Sequence, residues 1–218
     1  MVNNMFGLPQ LTEVNKRIPK QRFYENLDIT NALKKIFVTQ IKTIIWANKI
    51  APTTTNIAEG NEVKEIEIFK ISLNSGILDQ KALEQMDKQI PYHILFILEY
   101  QEKYQLWIGY KQGSKGANAF KVNKYFYTEW IDEKSVNLNI QGFTTDEVYH
   151  NLICRIGNVN VADSSTLEQQ IEADDKRQKL EKEIARLEKK ARAEKQPKKK
   201  FELVQQIKKL KSGLETQN

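Results

Sequence analysis

The chain has 218 residues, of which 40% are hydrophobic, and a formal net charge of +6, which suits one globular domain with an appendage. No apolar run approaches the roughly 20 residues that span a bilayer, and the N-terminus carries no signal-peptide pattern, so we expect a cytoplasmic protein without a membrane partner. Cys154 is the only cysteine and the two histidines, His93 and His150, lie far apart in sequence, which argues against a disulfide framework and predicts no metal site.

The first third of the chain predicts a lead-in segment, one helix and two strands. Residues 1–27 are polar with scattered apolar anchors, and we expect a short helix around residues 11–16. Asp28 or Thr30 can cap the next helix, which ends near Thr39 because the apolar spacing then changes to the alternation of a strand. The two expected strands cover residues 41–50 and 63–73.

The second third predicts a strand-rich core domain that ends in a helix. A helix is expected at residues 80–88, and strands at residues 93–100, 104–111, 122–130 and 136–140. Thr144 and Glu147 form a capping box for a further helix. We therefore predict an α/β (α+β) core domain over residues 28–158, with a mixed, largely antiparallel sheet of about five to six strands and flanking helices.

The last third predicts a basic helical arm over residues 165–216. Residues 176–211 contain fifteen Lys or Arg and five Glu, a difference of +10, so the rest of the chain sums to −4. Two apolar seams repeat at heptad spacing and comprise Leu180, Ile184, Leu187 and Ala191, then Leu203, Ile207, Leu210 and Leu214. Because Pro197 lies between the seams and proline interrupts a helix, we expect a charged helical hairpin or a coiled-coil arm broken near this residue.

Several stretches resemble an uncharacterised prokaryotic family, domain of unknown function 4391, in the same order along the chain. They are VNKRIPKQRFYENL (14–27), IIWANKIAPTTTNI (44–57), EIEIFKISL (65–73), QIPYHILFIL (89–98), LWIGYK (106–111), YTEWI (127–131) and LEKKARAEKQPKKKFEL (187–203). The resemblance implies no particular activity. It implies a small protein that accompanies helicases and DNA methyltransferases in restriction-like antiviral defence systems.

The basic side chains of the arm are candidate phosphate-binding groups, because Lys and Arg neutralise nucleic-acid backbones without reading sequence. They are Arg186, Lys189, Lys190, Arg192, Lys195, Lys198, Lys199 and Lys200. The interleaved glutamates also allow these residues to be the solvated face of a charged helix.

A second candidate site is nuclease-like, because metal-dependent nucleases combine strand carboxylates with a nearby lysine. Glu62, Lys64, Glu65 and Glu67 offer this combination, with Asp28 or another carboxylate needed to complete a magnesium site. The alternative is that these charged residues form the solvent-exposed face of a strand. Mg²⁺ is expected only under this nuclease hypothesis, and we predict no cofactor otherwise.

A third candidate is a polar and aromatic binding site at strand ends, where a rigid scaffold can place binding groups. Its residues are Lys49, Thr53, Thr54, Asn56, Tyr110, Lys111, Tyr127 and Trp130. The alternative is that the polar residues form a turn and the aromatic residues belong to the core. The nearby loop from Gly113 to Gly116 does not match the GxxxxGK pattern of a P-loop.

Together, the seams, the basic excess and the resemblance predict a non-catalytic accessory subunit of a nucleic-acid-processing assembly. The expected partner is a protein, and the resemblance implies a helicase or a DNA methyltransferase. The alternatives are a Mg²⁺-dependent nuclease of restriction-endonuclease type and a stand-alone protein that binds DNA or RNA.

Overall fold

The computed structural model of the chain describes residues 6–25, 29–112, 121–159, 167–194 and 196–215. The chain divides into two compact units, Met1–Asn160 and Val161–Asn218. The expected cap Asp28, the loop Gly113 to Gly116 and Lys195 lie outside the described residues.

In the first unit, the described strands form one seven-stranded mixed sheet. The strands are β1 (Glu13–Ile18), β2 (Ile41–Ile50), β3 (Ile66–Leu73), β4 (His93–Tyr100), β5 (Lys103–Gln112), β6 (Lys121–Tyr127) and β7 (Ile131–Asp132). The helices of this unit are α1 (Asn31–Gln40), α2 (Lys81–Gln89) and α3 (Thr145–Gly157). The predicted mixed α/β class with flanking helices is confirmed.

The six main strands lie in sequence order, and β7 pairs with β5 beside β6. Every pair is antiparallel except β3 and β4, which are parallel. A parallel pair needs a crossover connection, and α2 supplies it between β3 and β4. The antiparallel hairpin predicted from the two apolar runs at residues 93–111 is present as β4 and β5.

One face of the sheet packs against α1 and α2. Phe37 of α1 and Leu83 and Met86 of α2 are buried against Phe69 of β3 and Phe96 of β4. This pattern follows from the sequence, since alternate residues of a strand face the same side while residues three and four apart share one side of a helix. Thr30 begins α1 and accepts a hydrogen bond from the Leu33 amide at 3.3 Å.

Helix α3 belongs to the opposite face, where it contacts β5 and β6. It begins after Thr144, whose hydroxyl accepts a hydrogen bond from the Glu147 amide at 3.2 Å, which is one half of the predicted capping box. The Glu147 carboxylate accepts from the Phe143 amide at 2.7 Å and not from the Thr144 amide that a capping box would use. Its apolar side chains are buried and comprise Val148, Tyr149, Leu152, Ile153 and Ile156.

Two local predictions are wrong. The helix expected around residues 11–16 is a short 3-10 turn, Gln10–Thr12, followed by edge strand β1. The four-residue spacing of Val14 and Ile18 is also typical of one side of a helix. The segment is nevertheless a strand, because its backbone pairs with that of β2. The strand expected at residues 136–140 is irregular: Val136 and Leu138 are buried alternately, yet their segment joins no ladder of the described sheet.

The second unit contains α4 (Leu167–Ala193) and α5 (Pro197–Glu215), which pack against each other. Their buried contact consists of Ile184, Leu187, Ala191 and Ile207, with Leu203 and Leu210 partly buried beside them. These residues belong to the two predicted apolar seams, and the side chain of Leu214 lies outside the described part of the chain. Within the described residues, no helix is long and apolar enough to cross a membrane.

Candidate functional site

A group of charged residues lies where β2 ends and β3 begins. Lys49 on β2 forms an ion pair with Glu65, with 2.7 Å between Nζ and Oε1. Glu67 lies opposite Lys49 in the β2–β3 register and accepts a hydrogen bond from Nε1 of Trp46 at 2.6 Å. The antiparallel pairing thus gathers two carboxylates, one ammonium and one indole, which we call the β2–β3 charge cluster.

Burial governs the electrostatics of this cluster. Glu67 is only 4% exposed, and removal from water raises its pKa to about 7, although the bond from Trp46 opposes the rise. Lys49 donates a hydrogen bond to Glu65, and this bond holds the pKa of Lys49 above its ordinary value. Glu67 can therefore take up or release a proton near neutral pH, which an exposed glutamate does not do.

The structure separates the four residues of the nuclease hypothesis. Glu65 and Glu67 belong to the β2–β3 charge cluster, whereas Lys64 pairs with Glu59 at 2.8 Å and donates to the Gly60 carbonyl at 3.0 Å. Glu62 contributes a backbone amide to Asp146. No group of three or more His, Cys, Asp or Glu side chains among the described residues could hold a metal ion.

Lys111 is not at the surface, where a binding residue was expected, but in a buried ionic network. Its Nζ lies 2.8 Å from Oδ1 of Asp87 and donates to the Tyr92 carbonyl at 2.5 Å. The Tyr125 hydroxyl donates to the other Asp87 oxygen. Burial raises the pKa of the Asp87 carboxyl, while attraction and hydrogen bonding to Lys111 act in the opposite direction.

His93 extends this electrostatic environment to the start of β4. Burial, with repulsion from Lys111 as the next cause, lowers the pKa of His93 to about 4, so the imidazole is neutral at physiological pH. Its ring packs edge-on against Tyr149 with 4.5 Å between centroids. Tyr149 in turn donates a hydrogen bond to the Gly109 carbonyl, so α3 is tied to β5 by a buried hydroxyl.

Thr54 serves the turn after β2 instead of facing a ligand. Its hydroxyl donates to the Lys49 carbonyl at 2.7 Å and accepts from the Ala51 amide at 3.0 Å. The threonine run therefore forms a turn, which was the alternative interpretation of these residues. Thr53 and Asn56 remain exposed at the surface.

The aromatic residues of the third candidate site do not join the polar ones. Tyr127 is 53% exposed and stacks on Trp107 with 4.3 Å between ring centroids. It pairs with Trp107 in the β5–β6 register, whereas Lys111 pairs with Val122, so Tyr127 and Lys111 lie toward opposite ends of these strands. Trp130 packs against the core on the α1 and α2 side. Tyr110 is half-buried opposite Lys124.

The predicted basic side chains of the arm are exposed wherever the structure describes them. Arg186 pairs with Glu183 at 2.6 Å, one turn away on the same helix. No ion pair of the described residues involves the other predicted phosphate-binding residues, which are Lys189, Lys190, Arg192, Lys198, Lys199 and Lys200. On α5, Phe201 is 63% and Val204 39% exposed among these cations.

Sequence reasoning missed Asp87 and Tyr125, the partners of Lys111. A signal was present, because Asp87 follows Leu83 by four residues and thus interrupts the apolar side of α2. A carboxylate on the core side of a helix requires a buried cation or donor. Nothing in the sequence specifies that this cation comes from β5.

Fold and sites together define a mixed α/β sheet protein followed by a pair of basic helices. The chain belongs to the family described as Domain of unknown function (DUF4391), whose family model matches residues 6–214. The resemblance identified in the sequence is thereby confirmed. No curated protein and no solved structure matches the chain.

Proposed function

We propose that the chain is a non-catalytic accessory subunit of a nucleic-acid-processing assembly, which docks through the α/β domain and the helical arm. One observation carries this proposal: α5 exposes an apolar pair, Phe201 and Val204, within a strongly basic surface. Residues three apart are neighbours on a helix, so the two side chains form one contact point.

The apolar pair is not required by the packing of the arm itself. The contact between α4 and α5 already buries Ile184, Leu187, Ala191 and Ile207. Phe201 and Val204 lie outside this buried set, and aromatic side chains in such positions are frequent anchors of protein interfaces. The excess of +10 over residues 176–211 calls for an acidic partner surface around an apolar pocket.

The α/β domain offers exposed apolar groups for the second contact. Phe143, directly before α3, is 86% exposed, and Leu11, before β1, is 81% exposed. The family resemblance supports a helicase or DNA methyltransferase of a restriction-like, antiviral defence system as the partner. An assembly of this kind acts in the cytoplasm, and the accessory role requires no cofactor.

Co-purification tests this proposal. The tagged protein, purified from its native cells, should elute with a helicase or DNA methyltransferase as a stoichiometric complex in size-exclusion chromatography. Changing Phe201 and Val204 to Ser should weaken the complex at least tenfold. The matched control is Gln205→Ser, an exposed substitution on the same helix. A wild-type protein that elutes only as a free monomer would contradict the proposal.

A stand-alone protein that binds DNA or RNA is the second candidate, supported by the exposed run Lys198 to Lys200. Its affinity for an oligonucleotide should fall steeply with salt, because bound cations of the nucleic acid are released. Replacing the three lysines with Gln should reduce the salt slope by about 2 to 3 if each contacts one phosphate. An unchanged slope would exclude these lysines from the contact.

A further inference from the structure

We infer that the α/β domain carries an anion site for a phosphate group, separate from the basic arm. A cavity of about 350 Å³ lies beside the end of β1 and the start of β2. Arg17, Lys20 and Lys42 line it together with Gln21 and Thr43, and no carboxylate of the described residues contributes to the lining. This volume is at the lower end of the range for small-ligand pockets.

Local structure brings the three cations together. Pro19 follows β1 and precedes a 3-10 turn, Lys20–Phe23, in which the ring of Phe23 stacks on Phe37 of α1. On β2, Lys42 lies at an irregularity of the ladder, because Ile41 pairs with Leu73 while Thr43 pairs with Ser72. The extra residue of such a bulge re-aims its side chain, and bulges are frequent next to binding sites.

Lys20 is held in place by the end of helix α1. Its ammonium donates to the Ile41 carbonyl at 2.6 Å and to the Val38 carbonyl at 3.4 Å. An ammonium has three N–H groups, so one donor remains for a ligand in the cavity. Lys20 therefore has a structural role as well, and its substitution would report on folding in addition to binding.

The charges of this cavity are not compensated by the described protein groups. Arg17 and Lys42 form no ion pair with the described residues, and residues 16–22 contain four cations and no carboxylate. Cations that converge on one cavity repel each other unless an anion lies between them. Arg and Lys around a polar cavity are the usual donors to phosphate oxygens.

The chemistry that fits is a phosphate group, carried by a small nucleotide or by a nucleic-acid backbone. This inference depends neither on the arm nor on its protein partner, so it can fail without affecting the proposed function. The variant to use changes Arg17 and Lys42 to Ala and leaves Lys20 in place. Lys81 and Lys88, two exposed lysines of α2, provide a matched control with the same loss of charge.

The test is a titration of the full-length protein with inorganic pyrophosphate, followed through the backbone amide signals of Arg17, Gln21 and Thr43. The wild type and the control should show saturable shifts of these signals, and the Arg17→Ala, Lys42→Ala variant should bind at least tenfold more weakly. Equal weakening in both variants, or no shift at these amides in the wild type, would overturn the inference.

Two further titrations distinguish the sources of the phosphate. If adenosine monophosphate shifts the same amides and a single-stranded oligonucleotide does not, the site takes a free nucleotide. If the oligonucleotide shifts them and pyrophosphate competes with it, the site takes a backbone phosphate. Either result supports the anion site, provided that the double variant weakens binding and the control does not.

Discussion

The indole Nε1 of Trp46 donates a hydrogen bond of 2.6 Å to Oε2 of Glu67 across the β2–β3 pair. This bond is made to a carboxyl that is almost fully buried, and burial raises its pKa to about 7. Ordinary glutamates are ionised well below this pH. The proton on Glu67 therefore links the stability of the central sheet to pH.

Glu67→Gln should remove this pH dependence. Because the pKa of Glu67 is about 7 in the folded protein and near 4.5 in the unfolded chain, the folded state binds the extra proton between these values. Stability from this group is fully present below about pH 4.5 and is lost as the pH rises through 7. The variant should match the wild type at pH 4.5 and exceed it by about 3 kcal/mol at pH 8.

Urea unfolding at pH 4.5, 6 and 8 measures this difference. Glu62→Gln is the control, because it removes an exposed carboxylate and leaves the Trp46 bond and the Lys49 ion pair intact. Parallel stability curves for wild type and Glu67→Gln would show that the pKa of Glu67 is the same in the folded and the unfolded protein.

The buried pair of Lys111 and Asp87 should be costly to break from one side. Lys111→Met leaves the Asp87 carboxylate without its cation, and Asp87→Leu leaves the Lys111 ammonium without its anion. Each single variant should lose about 3 to 5 kcal/mol of unfolding free energy, because an unpaired charge remains buried. The double variant should lose less than either, since no buried charge is left unpaired. A double variant whose loss equals the sum of the two single losses would contradict this coupling.

The fold could largely be predicted from local patterns. Strand β2 has the predicted bounds, because alternation and β-branched residues extend over Ile41–Ile50 and a proline follows. Edge strand β1 was missed because its few apolar residues repeat at helical spacing, and the deciding factor is its pairing with β2. The parallel pairing of β3 and β4 depends on the crossover connection between them. The sequence pattern does not show how this connection places β4 beside β3.

The candidate sites were predicted less well, because they depend on contacts between distant segments. Lys49 and Lys111 both follow apolar strand runs, yet the side chain of Lys49 is 26% exposed and pairs with Glu65, while that of Lys111 is fully buried beside Asp87. The two lysines differ because different elements pack over the two strand ends. Lys111 lies beside Asp87 of α2, and this helix is separated from Lys111 by more than twenty residues of sequence. Nothing local to either lysine encodes it.

Asp146 should be essential for the loop that precedes β3. Its carboxylate accepts hydrogen bonds from the amides of Asn61 (2.7 Å), Glu62 (3.2 Å) and Val63 (2.7 Å). Asp146→Ala leaves these donors unpaired, and we expect a loss of about 2 to 3 kcal/mol in thermal or urea unfolding. Asp146→Asn, which retains one acceptor oxygen, should lose less. Equal stability of the Ala variant and the wild type would show that water replaces the carboxylate without cost.

Gly60, which directly precedes these three residues, should not accommodate a side chain without a loss of stability. A Cβ atom there would lie 2.2 Å from the Asp146 carboxylate oxygen and 2.8 Å from its amide nitrogen. Gly60→Ala must therefore displace the loop or the first turn of α3, and we expect a loss of about 1 to 3 kcal/mol. Gly76 provides a control, since its nearest neighbour is the edge of the Tyr100 ring at 3.2 Å. A stability equal to that of Gly76→Ala would contradict the tight contact.

The arm should respond differently to substitutions inside and outside its apolar contact. Leu187→Ala removes a buried side chain from the contact between α4 and α5, and the far-UV circular dichroism of the full chain should show an early, partial loss of helix on heating. Phe201→Ser, on the exposed surface, should leave this signal unchanged. If both variants melt alike, Phe201 supports the helix pair and is not available as an anchor for a partner.

The accessory role predicts that the β2–β3 charge cluster does not cleave nucleic acid. Purified full-length protein should leave DNA and RNA intact with Mg²⁺ or Mn²⁺. The ammonium of Lys49 lies 2.7 Å from Oε1 of Glu65 and repels a divalent cation from this carboxylate. Incubation of labelled single- and double-stranded substrates, followed by denaturing electrophoresis, measures this. Cleavage that disappears in Glu65→Ala and Glu67→Ala but persists in Glu62→Ala would contradict the accessory role. Such a result would assign the activity to the two carboxylates that the β2–β3 pairing brings together with Lys49, since Glu62 supplies only a backbone amide to Asp146.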